Sequence, residues 1–467
     1  LTMCRKDTVK PSLQGQINLK KAREEAGLSQ QSLADQLGIS VDTIKRLKGT
    51  KDPDKNPAVE RESVKKIAKV LNLQPTNIVA REDWLRCPDD FRALILEKTK
   101  NFCGRELVFQ RFEQFCQKEN NGYFTVVGDA GMGKSSIAAK YVLETGAICH
   151  FNVMAEGRSR ADFFLKSIRQ QLIERYELDK KAEGENLVAL LTKARRKLGG
   201  NEPIIIIVDA LDEVEDDRQT HNVLNLPKHL EEGVYFFLTR RPCSQEQKRL
   251  AVEVPCGELD LSNEADAEIK KMNRDDVKAY IRLFLEEDPE HKDQLQEWIR
   301  VKQIAVYDFV EELAEKSEYN FMYLRYVLPA IANGDYRDFS IKELPEGLQQ
   351  YYEQHWQRME MDGKNRPHGI LLSILIEANT PVSCKLIAET AGRDENEVLE
   401  VLEKWRGFLK KVSVEGQECY AAYHYTFAEF LGEKPAIKRE AAKLLAAKNN
   451  RIREALAADE GEADEEE

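Results

Sequence analysis

Eight residues, Gly128-Asp129-Ala130-Gly131-Met132-Gly133-Lys134-Ser135, fit the pattern GxxxxGK[ST] and could hold a polyphosphate. Glycines let the backbone bend until the amides between Val127 and Ser136 point into one concavity, and a following helix adds its positive N-terminal end. Lys134 then supplies charge to the β and γ phosphates, and the Ser135 hydroxyl is placed to ligate magnesium. A second segment, Asp209-Ala210-Leu211-Asp212-Glu213, lies about 80 residues further on. There Asp209 can orient the metal through water, while Asp212 or Glu213 is placed to polarise an attacking water. A chance glycine-rich turn and ordinary surface carboxylates are the bland readings, and the pairing of the two motifs argues against both.

These groups work only if a scaffold presents them. Residues 123–127 form a short β-branched and aromatic run of buried-strand type, and residues 135–143 can run as a helix, so the loop has its strand and its helix. Residues 204–208 are five consecutive β-branched apolar residues, which predicts a central parallel strand with Asp209 at its C-terminal end, where ligands gather in open α/β sheets. A third strand over 234–238 ends in Thr239-Arg240-Arg241-Pro242, a basic pair that alone could simply be solvated.

The chain has 467 residues, enough for about three domains, and carries a net charge of −12. Nine cysteines are scattered with no CxxC pair, which argues against a zinc site or a disulfide framework and fits a reducing cytosol. No apolar run approaches the length of a membrane span and the N-terminus has no signal-peptide core, so a cytoplasmic protein is expected, neither secreted nor inserted in a membrane.

Residues 17–79 read as short amphipathic helices cut by turn residues. Leu19, Ala22, Ala26 and Leu28 form one stripe, Leu33, Ala34 and Leu37 a second, Ile44 and Leu47 a third, and Val64, Ile67, Ala68 and Leu71 a fourth. Ser29 can cap a helix through Leu37, Gly38 supplies the turn and Ser40 can cap the next helix, which is helix-turn-helix spacing. Residues 1–80 carry 15 Lys/Arg against 9 Asp/Glu, a net +6 that leaves −18 on the rest. A basic head on an acidic body suits a single nucleic-acid surface. The stretch resembles the Cro/repressor-type helix-turn-helix family, with Gln30, Ala34, Gly38 and Ile39 where that family usually has them. The resemblance implies that Val41, Asp42, Thr43, Lys45 and Arg46 face the major groove of DNA, while Gln30 and nearby amides hold phosphates. One such module makes few phosphate contacts, so useful affinity needs at least two copies brought together.

Residues 81–100 are mixed and polar and read as a linker arm. Phe102-Cys103-Gly104-Arg105-Glu106 follows, ahead of an amphipathic helix with Leu107, Phe109, Phe112 and Phe115. Taken with the phosphate loop, this phrase resembles the GRE segment of STAND-type NTPases and their AAA+ relatives. That implies that Gly104 and Arg105 help enclose adenine, and that the cofactors are ATP or ADP with Mg2+. Residues 239–242 resemble the sensor segment of NACHT and NB-ARC ATPases. The resemblance aligns Arg241 with the arginine that reads the γ phosphate, and puts Arg240 where a small hydroxyl residue is more usual. Residues 315–324 resemble the segment that carries a GxP motif, with Tyr319 and Phe321 standing at the glycine and proline positions.

From Asp266 the pattern is helical, with stripes such as Val277, Tyr280, Ile281 and Phe284. Residues 367–430 have the order of a winged helix: helices over 369–378, 383–391 and 394–405, then strands over 408–414 and 419–425 joined by a turn at 415–417. With 7 Lys/Arg against 10 Asp/Glu in residues 366–430, this unit is not expected to bind DNA. Residues 423–431 resemble the terminal histidine motif of STAND ATPases, which implies that His424 reaches the β phosphate of ADP and locks a closed form. A helix over 436–457 and a disordered acidic tail complete the pattern.

The sequence therefore predicts a multidomain α and α/β chain. A helix-turn-helix domain (1–80) and a linker (81–100) precede a P-loop NTPase core (101–265), a helical lid domain (266–345), a winged-helix domain (346–435) and a C-terminal helix with its tail (436–467). The resemblance implies a slow ATPase acting as an ATP/ADP switch, which self-associates on ATP binding and presents its helix-turn-helix domains to DNA. Two other readings stay open: the first domain docks a protein partner in a defence or stress-response complex, or the chain is a turnover ATPase of motor type.

Overall fold

The computed structural model describes residues 8–49, 57–153, 159–179, 184–198, 202–214, 222–243, 250–378, 380–414 and 416–463. Strand β1 (Thr8–Val9) leads into α1 (Leu13–Glu25), α2 (Gln30–Leu37) and α3 (Val41–Lys48), and β2 (Val59–Glu60) pairs back on β1 before α4 (Arg61–Val70). The expected caps are present. Ser29 Oγ accepts the Ser32 amide at 2.9 Å, Ser40 Oγ accepts the Asp42 amide at 3.2 Å, and Gly38 takes the left-handed turn with φ 63°. Leu19, Leu33, Ile44, Leu47, Val64 and Ile67 meet in one small core; of the four stripes only Ala26 stands exposed.

The stretch expected to be a linker arm is instead built into the body of the protein. It forms α5 (Arg81–Trp84) and α6 (Asp89–Thr99), and Leu85, Phe91 and Ile95 are buried with the central sheet. Phe91, Leu94 and Ile95 have helical spacing, so burying that stripe outweighs the polar remainder of the stretch. Trp84 closes the first core. Its indole N–H donates to the Glu144 carbonyl at 3.4 Å, and the Arg61 guanidinium lies 4.9 Å from its ring centroid.

The centre is α7 (Glu106–Lys118), β3 (Gly122–Val127), α8 (Lys134–Thr145), β4 (Ile148–Phe151), α9 (Ala161–Arg175), α10 (Leu187–Leu198), β5 (Ile204–Asp209), β6 (Val234–Arg240) and β7 (Cys256–Asp260). All five strands are parallel, in the order β4-β5-β6-β3-β7. Although residues 204–208 are uniformly apolar, they still alternate in what they pack against. Ile204, Ile206 and Val208 face α9 and α10, whereas Ile207 faces the side covered by α6, α7 and α8. Because β6 lies between β3 and β5, residues 239–241 emerge between the phosphate loop and Asp209.

The remainder is helical at first: α11 (Ala267–Glu286), α12 (Lys292–Val301), α13 (Val306–Lys316), α14 (Phe321–Ala332) and α15 (Gly347–Arg358). Next come α16 (Arg366–Glu377), β8 (Val382–Ser383), α17 (Cys384–Ala391), α18 (Glu395–Lys404), β9 (Leu409–Val414) and β10 (Gln417–Ala422), the strands forming an antiparallel sheet ordered β8-β10-β9. Helices α19 (Tyr425–Gly432) and α20 (Pro435–Ala463) follow. Two expectations are corrected. The last strand ends at Ala422, not 425, because His424 caps α19, and α20 runs to Ala463 through residues expected to be disordered. The final acidic residues, 464–467, and Glu415 of the expected turn lie outside the described residues. Among the described residues no helix is long and apolar enough to cross a membrane.

Entry into α7 depends on two successive left-handed residues, Gly104 (φ 71°) and Arg105 (φ 69°). A Cβ on Gly104 would sit 2.1 Å from Asp276 Oδ1, and Asp276 Oδ2 accepts the Arg105 amide at 3.0 Å. Gly104→Ala therefore combines a left-handed alanine with a displaced, buried carboxylate. It should lower stability by about 3 kcal/mol in urea unfolding of nucleotide-free protein. An unchanged midpoint would mean that α11 can retreat freely.

Candidate functional site

The phosphate loop turns on Gly131 and Gly133, both at φ 86°, and delivers Lys134, Ser135 and Ser136 as the first turn of α8, whose amides have no intrahelical acceptor. Its carbonyls, facing the other way, are satisfied in series. Lys134 Nζ donates to Gly128 O at 2.6 Å and Asp129 O at 3.0 Å; Asn320 Nδ2 donates to Ala130 O at 2.9 Å. The Phe321 amide donates to Gly131 O at 3.1 Å, and Arg105 Nη2 to Met132 O at 2.9 Å. A Cβ on Gly131 would lie 2.1 Å from Asn320 Oδ1, so the α14 N-terminus sits hard against the loop.

A cavity of ≈ 480 Å³ opens over this loop. Ala130, Gly131, Gly133, Lys134, Ser135 and Ser136 form its floor, and Asp212, Glu213 and Arg241 one wall. Gly104, Gly128, Asp129, Met132 and Asp209 do not line it. Asp209 is buried at the end of β5, where its carboxylate accepts hydrogen bonds from the Thr239 and Ser135 hydroxyls, and burial raises its pKa. The Thr239 hydroxyl also accepts the Ala210 amide at 2.9 Å. Strand alternation separates the two arginines. Arg240 turns away to pair with Glu258 at 3.1 Å, while Arg241 turns toward the cavity and bridges Asp212 (3.1 Å) and Glu429 of α19 (3.0 Å).

Arg105 lines the cavity but spends its guanidinium on structure. It bonds Asn273 and the Met132 carbonyl, lies 3.7 Å from the Asp276 carboxylate and covers the Phe321 ring at 5.0 Å. Burial pushes Asp276 up to about 6, against the lowering effect of Arg105. Phe321 meets Tyr280 edge-on at 5.5 Å, giving the wall near Phe102 and Cys103 an aromatic face.

His424 completes the far side. Its Nδ1 accepts the Thr426 amide at 3.3 Å, which leaves the ring proton on Nε2 as a donor. Burial, and then the charges of Lys98, Arg241, Lys134 and Arg325, push His424 down to about 3. Lys98 and Arg325 were not singled out in the sequence. Lys98 sits in the mixed segment and Arg325 on α14, and only the fold brings them to the same wall.

In the first domain, Lys45, Arg46 and Asp42 of α3 are exposed, with Lys45 and Asp42 3.5 Å apart; Gln30, Val41 and Thr43 are half-buried beside them. The domain attaches by its opposite end. Thr76 and Trp84 both bond Glu144 at the close of α8, which leaves α3 uncovered.

The NACHT domain family matches residues 123–288, the segment that holds the phosphate loop, Asp209 and Arg241. The chain carries a NACHT domain. Residues 18–83 match the Cro/C1-type HTH DNA-binding domain, so this P-loop NTPase domain is joined to a helix-turn-helix. No curated protein matches the sequence. Among solved structures, similarity extends to a Signal Transduction ATPase with Numerous Domains (STAND) protein with a tetratricopeptide repeat sensor from Pyrococcus horikoshii, at 16% identity and TM-score 0.36. That match covers 74% of this chain and 45% of the Pyrococcus chain. A mutant of Thermotoga maritima RuvB (12% identity, 70% and 96% covered, TM-score 0.24) and Drosophila ORC bound to DNA (14%, 74% and 98%, TM-score 0.26) are also similar.

The environment of His424 in this NACHT-domain protein has a pH signature. An unfolded His424 takes up a proton below about pH 6.5, whereas the folded one stays neutral to about 3. Its contribution to stability is thus full above pH 6.5 and is lost as pH falls. Between pH 7 and pH 5 the stability of nucleotide-free parent relative to His424→Gln should drop by about 2 kcal/mol, read by urea unfolding. Parallel curves would show an imidazole that titrates as in water.

Proposed function

We propose that the chain is a nucleotide-dependent switch of the STAND class. In this reading ADP holds the two sides of the cavity together, and ATP releases them for self-association. The observation that carries it is that Lys134 at the start of α8, Arg241 just after β6, and His424 from the far C-terminal unit face one cavity. We read residues 346–435 as the winged-helix domain and residues 266–345 as the helical lid domain.

The residues fit the cofactor. Main-chain amides of the phosphate loop and Lys134 would hold the phosphates, and the His424 Nε2–H would donate to one of them. Among the described residues no group of three or more His, Cys, Asp or Glu is placed to cage a metal. Magnesium would rest on Ser135 and Asp209, with phosphate oxygens and water completing its shell, as suits that ion. Asp212 or Glu213 would orient water, but Asp212 is held by Arg241, so hydrolysis in the closed arrangement is slow. Bound magnesium nucleotide supplies the scissile phosphoanhydride; the protein contributes position and charge.

Because α3 stays exposed while the lobes are closed, nucleotide does not act by uncovering it. Self-association, which multiplies helix-turn-helix copies, is the coupling. Purified protein stripped of nucleotide should be monomeric by mass measurement with ADP and larger with a non-hydrolysable ATP analogue, and Lys134→Ala should abolish both nucleotide binding and the change. Retention of both by the alanine variant would sink the reading.

A separate test concerns the output. Replacing Lys45 and Arg46 together by Glu should weaken DNA binding at least tenfold and flatten its salt dependence by about two counterions. DNA binding unchanged by that double substitution would favour a protein partner for the domain.

A further inference from the structure

We propose that Lys98 is a second phosphate-binding lysine of the nucleotide site, delivered by the helix that joins the helix-turn-helix domain to the NACHT core. The proposal rests on the nucleotide reading above and goes beyond it, since neither the phosphate loop nor the sensor segment contains this residue.

Lys98 lies near the end of α6 and lines the same cavity as Lys134, Arg241 and His424. The arginines around that cavity all have carboxylates: Arg105 has Asp276, Arg241 has Asp212 and Glu429, and Arg325 has Glu97. Lys98 has none within 4.0 Å among the described residues. Its Nζ meets the Tyr423 hydroxyl at 3.3 Å and stands 4.9 Å from that ring's centroid. Glu97 is the largest charge acting on it and Asp209 a smaller attractive one, and Lys98 is in turn the largest single charge acting on His424. A half-buried ammonium whose side-chain hydrogen bond goes to a hydroxyl, with no carboxylate in contact, is costly, and a polyanion entering the cavity offsets that cost.

A purely structural role, clamping Tyr423, is already filled. The Arg325 guanidinium lies 4.1 Å from the Tyr423 ring centroid, and Glu97 accepts the Tyr423 hydroxyl. Lys98 is thus surplus to that clamp. Because the chain runs back from α6 through the buried Leu85 to Trp84 at the end of α5, a phosphate drawn to Lys98 would pull on the segment that seats the first domain.

The test uses the full chain with Lys98→Met, which keeps the stem and removes the charge. Calorimetric affinity for ADP and for a non-hydrolysable ATP analogue should fall about tenfold or more, with adenosine binding unchanged and Lys98→Arg restoring most of the loss. The melting temperature of nucleotide-free Lys98→Met should equal or exceed that of the parent, while its rise on adding ADP shrinks. As a measurement on the parent itself, ADP should protect Lys98 from an amine-acetylating reagent.

Parent-like ADP affinity in Lys98→Met while Lys134→Ala is impaired would overturn the proposal alone; parent-like affinity in both would overturn the nucleotide reading and this proposal with it. Equal losses for adenosine and ADP, or acetylation of Lys98 indifferent to ADP, would also overturn it.

Discussion

A loop that turns its amides inward to face an anion must turn its carbonyls outward, and in a packed protein each of those needs a donor. From Gly128 to Met132 all five are matched, but the donors come from three places. Lys134 serves the first two, the Asn320 side chain and the Phe321 amide the next two, and Arg105 the last. The cradle is therefore not a property of the motif alone. Withdrawing the α14 N-terminus would strip two carbonyls of partners worth about 1 kcal/mol each, so the position of the helical segment and the shape of the loop form one constraint. Phe321 stands where the resemblance expects proline. Proline has no N–H, so the bond to Gly131 exists because of that departure.

Either side of the cavity, cohesion differs in kind. Helices α11 to α15 and the unit that follows share one apolar core, in which Tyr326, Tyr351 and Phe408 stack and tilt within about 6 Å of one another. Between that core and the sheet, the contacts that close the cavity are mainly polar: Arg241 with Glu429, Glu97 with Tyr423 and Arg325, and Asn320 with Ala130. Water can replace such contacts at small net cost, whereas it cannot replace the aromatic cluster. Helix α11 belongs to both sides, its Ile269 and Met272 packing with the sheet and its Val277 and Ile281 with the helical core.

What could be read from the sequence was what is contiguous. The phosphate loop, the strand ending at Asp209 and the Ser29 and Ser40 caps each sit within about ten residues and follow from local backbone rules. The separation of Arg240 from Arg241 was legible in principle, since a strand places neighbours on opposite faces. Lys98 and Arg325 could not be assigned to a wall, because nothing near either one names its partner, and over 200 residues separate them. The stripe of Phe91, Leu94 and Ile95 was a usable signal that residues 89–99 belong to a core; charged neighbours masked it. The strand was expected to run through His424 to 425, and since histidine is not among the favoured N-cap residues nothing local marked it as a cap. In the fold its ring nitrogen does a cap's work, accepting the amide two residues on.

The seat of the helix-turn-helix domain limits how nucleotide could reach it. Lys134 and Glu144 lie ten residues apart on α8, so about 15 Å separates the phosphate loop from the turn where Glu144 holds Thr76 and Trp84. A single helix of that length moves as a unit, and Lys140 paired with Glu144 at 2.7 Å stiffens its last turns. Tilting α8 would swing the whole first domain while leaving its internal core untouched. The exposed face of α3 would then change direction without changing chemistry. Affinity of one copy for a DNA partner would be set by that chemistry, whereas the avidity of several copies would depend on their relative orientation. A nucleotide-driven tilt would therefore act on an assembly far more strongly than on a lone chain.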